Sequence, residues 1–177
     1  NNQDGLVQAG GNVSIENHMQ DLNNKKGRIA GFGQNSHLSL LSARLMHNLE
    51  GAVASNGQID VIVAGDYTID GDFQTQDRLN LTAGSITNQA VLQANAGLSL
   101  TSTIGDINNT QQAQFLSNGL LQLSSAQNIF NEGIISSVGA VQVVAQGGLV
   151  ENKGSISSQS VLDVLAHQTI DNQAYLS

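Results

Sequence analysis

The sequence predicts an all-β protein, a parallel β-helix in which about eight coils of ~20 residues stack into one solenoid. Three observations predict it. Short apolar–x–apolar pieces begin at Val13, Leu38, Ile59, Leu79, Leu98, Leu121, Val141 and Leu162, at spacings of 19 to 25 residues. An Asn or Asp follows each start by about ten residues, at Asn23, Asn48, Asp70, Asn88, Asn108, Asn131, Asn152 and Asn172. Proline is absent from all 177 residues, where average usage gives about 9. A residue that cannot donate to a strand ladder is excluded from a chain that is nearly all paired strand.

Each unit divides into three extended pieces, clearest in Leu120–Gly139 and Ala140–Ser160. The first piece is Leu121-x-Leu123, the second lies near Ile129, and the third is Ile135-x-Ser137. Alternation of period two within each piece indicates strand rather than helix. Gly and Asn punctuate the pieces, where a turn calls for positive φ or a local side-chain hydrogen bond. Ser39–Glu50 has the one pattern that also suits a helix, but Leu38-x-Leu40, Asn48 and Gly51 place it in the coil register. Leu81, Leu100, Leu123, Val143 and Val164 are expected to point inward.

A coil of this size cannot bury its apolar face alone, so stacking supplies the partner. At the usual strand spacing of about 4.8 Å, eight coils make a rod of roughly 38 Å. Equivalent side chains then lie above one another, and Asn48, Asn88, Asn108, Asn131, Asn152 and Asn172 are expected to form a structural ladder of amides. Gly5–Gly11 has the spacing of a third piece, and Leu176-Ser177 falls in another. Neither resembles a polar cap, so residues 1–177 are expected to be a single segment excised from a longer array.

Composition narrows the function. With 40% hydrophobic but only 3% aromatic residues, the core must be thin and built from Leu, Ile, Val and Ala. A net charge of −8 with six Lys and Arg argues against nucleic acid as a partner, because phosphate binding needs clustered cations. Without cysteine there is neither a disulfide nor a thiolate metal site. No stretch is long and apolar enough to span a bilayer as a helix.

Candidate sites are sparse. His18, His37, His47 and His167 lack metal-ligand spacing. Asp66, Asp70, Asp72 and Asp77 form the densest acidic run but match no calcium-loop pattern, so neither metal nor cofactor is expected. Lys25, Lys26 and Arg28 are half of the basic residues and lie in the longest unit. Extra length there is expected to emerge as a loop, the one candidate for contact with glycosaminoglycan or anionic lipid.

The unit L-x-L-x-A-x-x-x-I-x-N-x-G-x-I-x-S, seen best in Leu121–Ser137 and Leu79–Ala94, resembles the haemagglutinin repeats of filamentous haemagglutinin and contact-dependent inhibition exoproteins. These are the large secreted partners of two-partner secretion systems. The resemblance implies a right-handed β-helix in the shaft of a Gram-negative cell-surface filament, an adhesin or a toxin-delivery arm. Its implied partners are adjoining repeats of the same chain, an outer-membrane transporter during secretion, and a target-cell receptor or glycan. An autotransporter shaft has similar repeats. A β-helix polysaccharide-acting enzyme needs convergent carboxylates or basic residues on one face. The outward positions here are mostly Ser, Thr, Gln and Asn, so no catalytic residues and no enzymatic activity are expected.

Overall fold

The computed structural model describes residues 1–44 and 46–177. Every strand pairing within the described residues is parallel, and no helix occurs among them. The chain winds through three faces in turn, so each face is a sheet whose neighbouring strands are one coil apart in sequence. An eight-stranded sheet runs from Val13–Asn17 to Leu162–Ala166, and a nine-stranded sheet from Leu6–Ala9 to Tyr175–Leu176. The third face has three-residue strands, six of them from Tyr67–Ile69 to Ile170–Asn172. At its N-terminal end lies a separate pair, Leu22–Asn23 and Met46–His47.

Register on the eight-stranded sheet follows the apolar alternation. Val13, Leu38, Ile59, Leu79, Leu98, Leu121, Val141 and Leu162 occupy one column. Leu81, Leu100, Leu123, Val143 and Val164 stack in the column two residues on. A slip of one residue would turn every one of these side chains to solvent. The opposite wall is the column Ile29, Val53, Phe73, Leu92, Phe115, Ile135 and Ile156, fully buried throughout. Leu22, Met46, Tyr67, Ile86, Ile107, Ile129 and Val150 close the third side. Ser39–Arg44 and Met46–Glu50 follow the coil register as expected, with strands Leu38–Ser42 and Met46–His47.

Glycine plays a different part from the one expected. No described glycine has positive φ; the left-handed residues are Asp4, Lys26 and Glu50. Close approach between coils is what requires the glycines. A Cβ on Gly133 would collide with the carbonyl oxygens of Ala113 and Thr110, and one on Gly154 with that of Gly133.

The core column makes a direct prediction. Leu123 is fully buried, whereas Gln122 on the same strand faces outward. Leu123→Asp should lower stability by several kcal/mol, because a carboxylate has no partner in that column. Gln122→Asp should melt within a few degrees of wild type. Equal melting of the two variants in thermal denaturation would mean that the register is wrong.

Candidate functional site

The most elaborate chemistry in the chain lies where the short-strand face turns into the nine-stranded sheet. Period-two alternation puts the first and third residues of each short strand inside, and the third is usually asparagine. Asn88 Nδ2 donates to Asn109 Oδ1 at 3.0 Å, Asn109 to Asn131 at 2.8 Å, Asn131 to Asn152 at 2.7 Å and Asn152 to Asn172 at 2.8 Å. The second amide hydrogen reaches a carbonyl of the next coil, on Gln114, Ile134, Ser155 and Tyr175 in turn. Both hydrogens of these four amides are therefore satisfied, as burial demands. A second series, Asn2 to Asn24 to Asn48, has links of 2.7 Å.

This ladder corrects the expected one at Asn108 and extends it by a rung next to the repeat position Asn23. Asn109 belongs to it, not Asn108, because Ile107 points inward and Asn108 therefore points out between Thr87 and Phe130. Asn24, rather than Asn23, is the rung beside Asn48. Nor is the ladder continuous, since Ile69 stands between Asn48 and Asn88 and cannot pass the hydrogen bond on.

The interruption coincides with a change of turn. Three residues separate the ladder asparagine from the next strand in Asn24–Arg28, and likewise in Asn48–Ala52. Only Asp70-Gly71 follow Ile69, and only Glu132-Gly133 follow Asn131. Where the two turn types meet, the Glu50 N–H reaches Asp70 O at a long 3.4 Å, and the strand Met46–His47 makes no ladder with Tyr67–Ile69. Asn48 Nδ2 and the Tyr67 hydroxyl are both buried there without a hydrogen-bond partner. Burial, with a smaller push from Asp70, raises the Tyr67 hydroxyl pKa well above its ordinary value.

The turn after the nine-stranded sheet has a hydroxyl counterpart. Ser55, Thr75, Ser117 and Ser158 each accept the backbone N–H two residues on. Thr75 donates back to Gly57 O, Ser137 to Gly119 O and Ser158 to Gly139 O. These are local hydroxyl turns locked to the preceding coil.

The basic residues do not form an extruded loop. Lys25 and Lys26 occupy the same turn that Leu49 and Glu50 occupy one coil later. The added length of this unit lies instead at Phe32–His37, six residues against three at Asn56–Gln58. Lys26 pairs with Glu50 at 3.6 Å, and the Arg28 guanidinium lies 5.8 Å from the Phe32 ring centre. The acidic run is dispersed by the winding: Asp70 accepts the Asn48 N–H, Asp72 that of Val91, and Asp77 follows the Thr75 turn. Among the described residues no three His, Asp or Glu side chains converge as metal ligands.

One carboxylate on the outer face of the eight-stranded sheet is strongly solvated by protein. Asp60 accepts from His37 at 2.5 Å, Gln58 at 2.9 Å and Asn80 at 2.8 Å. Partial burial raises its pKa, but the hydrogen bonds from Asn80, Gln58 and His37 outweigh it and hold the carboxyl below its ordinary value.

Fold and site together define the class as a parallel β-solenoid with a buried amide ladder and hydroxyl-capped turns. No family model matches the sequence, and no solved structure matches it. Among curated proteins, the chain is similar to the tRNA nuclease CdiA of Yersinia mollaretii, 31% identical over 122 residues, which is 68% of this chain and 4% of that protein. It is also similar to the deoxyribonuclease CdiA of Dickeya dadantii, 28% identical over 170 residues, or 94% of this chain and 5% of that protein. The chain thus spans about one twentieth of the curated relatives it matches.

Two outcomes follow from these contacts. Ile69→Asn should join the two ladder segments, so that the gained hydrogen bonds offset most of the lost apolar burial and Tm stays within a few degrees of wild type. Asn131→Leu should lower it by several kcal/mol by stranding the amides on both sides. Similar Tm changes in the two variants would contradict the ladder's role. Separately, the lowered pKa of Asp60 stabilises the fold above the unfolded value of about 3.9, and that contribution vanishes as pH falls through the folded value. The Tm gap between wild type and Asp60→Asn should therefore be widest above about pH 4 and narrow as the pH falls below it. A gap independent of pH would show that the carboxylate charge is not what these donors stabilise.

Proposed function

We propose that this chain is a non-catalytic segment of the shaft of a long, secreted contact-dependent inhibition exoprotein on the surface of a Gram-negative bacterium. The observation that carries the reading is the stacking of three-strand coils along the whole eight-stranded sheet, with most of the polar chemistry of the turns consumed between coils. Asn109, Asn131 and Asn152 spend both amide hydrogens on neighbouring coils, which adds length and stiffness rather than reactivity. Similarity to short stretches of two CdiA proteins supports the same placement. The nuclease activity in their names belongs, in this reading, to parts outside the matched segment.

Deletion in the full-length parent tests the proposal. Removing residues 38–161 takes out whole coils and leaves Val13 and Leu162 columns able to rejoin. The filament should shorten by roughly 29 Å, at about 4.8 Å per coil, and still be exported and deliver its toxin. Removing residues 38–151 breaks the register and should abolish surface display. The isolated chain should cleave neither tRNA nor DNA. Cleavage by the isolated chain, or loss of delivery from a normally displayed whole-coil deletion, would overturn the shaft reading.

A further inference from the structure

The outer face of the short-strand sheet carries one aromatic residue that the core does not need. Its outward column reads Thr68, Thr87, Asn108, Phe130, Glu151 and Asp171. Of the other phenylalanines, Phe73 and Phe115 are buried, and Phe32 lies beside Arg28. Phe130 is half-buried and flanked in register by Asn108 and Glu151. It forms part of a groove of about 370 Å³, which Thr87, Glu132 and Lys153 also line. That is toward the lower end of volumes typical of small-molecule sites, about 300–1,000 Å³.

The groove is built, with a wall and a floor. Asn109 and the next strand are separated by four residues, Thr110–Ala113, where the following coil has only Glu132-Gly133. Thr110, the first residue of this longer turn, lines the groove with Phe130. Thr110 Oγ1 donates to Asn88 O at 2.8 Å, which ties the turn to the coil below. Lys153 and Glu151 are ion-paired across the other side.

Charge decides what fits. Glu132 and Glu151 disfavour an anion. The Lys153 ammonium disfavours a cation, and a single ring is not the cage that quaternary ammonium ligands require. A neutral ligand that both donates and accepts hydrogen bonds suits Asn108, Thr87 and the paired charges together. An apolar C–H face on that ligand suits the electron-rich face of the Phe130 ring. Sugars combine these properties. We propose that this groove binds a neutral oligosaccharide, with Phe130 as the stacking platform and Asn108 and Glu132 as hydrogen-bonding partners. The proposal stands on the groove itself and does not depend on the shaft reading.

The test is a calorimetric and NMR titration of the chain with maltohexaose, cellohexaose and chitohexaose, alongside a heparin hexasaccharide and choline. At least one neutral hexaose should bind saturably with a Kd of about 0.1–10 mM. Amide shifts should be confined to residues 108–110, 130–132 and 151–153. Phe130→Ala should weaken binding about tenfold or more with Tm unchanged, because the ring faces outward, and Phe130→Trp should retain it. Absence of saturation with all three neutral sugars, binding unaffected by Phe130→Ala, or binding of heparin or choline alone would each overturn the proposal.

Discussion

Backbone hydrogen bonds between successive coils are the interaction on which everything else in this chain depends. Because the neighbour of each strand is the strand one coil later, a residue's environment in the middle of the rod is set by its own structural equivalents. Leu81 meets Leu100, Leu100 meets Leu123, and Leu123 meets Val143. The same constraint acts on the turns, where Gly133 and Gly154 stack so closely that neither tolerates a Cβ. Choice of residue at one coil therefore restricts the choice at the next.

Polar side chains inside such a stack must be satisfied along the rod axis, and asparagine does this with few atoms. It accepts from the coil before and donates to the coil after, so a column of asparagines needs no water. The arrangement also makes the column vulnerable to a single substitution. Ile69 removes both functions at once, and the cost appears on its neighbour as the unpaired Asn48 Nδ2. Tyr67 adds a buried hydroxyl at the same level. The interruption separates two ladder blocks, Asn2–Asn48, whose turns have three residues, and Asn88–Asn172, whose turns have two or four.

The repeat and its core columns were legible in the sequence because burial imposes a two-residue alternation that eight coils repeat. The placement of Asn109 was legible in principle from the same rule, two residues after the inward Ile107, but adjacent Asn108 and Asn109 make a pattern counted only from the coil start ambiguous by one residue. Glycine's role was not legible, because a close approach between coils and a left-handed turn select the same amino acid. The basic run was misplaced for a related reason: total unit length does not say which of three turns holds the extra residues. The Phe130 groove depends on a neighbouring turn about twenty residues away in sequence, and no local motif records it. The likeness to CdiA proteins fits the repeat design and says nothing about that groove.

Exchange of the asparagine side-chain amide protons with solvent, followed by NMR at neutral pH, tests the stacking account most directly. Nδ2 protons of Asn88, Asn109, Asn131 and Asn152 should exchange far more slowly than those of exposed Asn12, and Asn48 should exchange faster than Asn24 despite equal burial. Exchange of Asn109 and Asn131 at the rate of Asn12 would show that the buried amides are not laddered and would contradict the account.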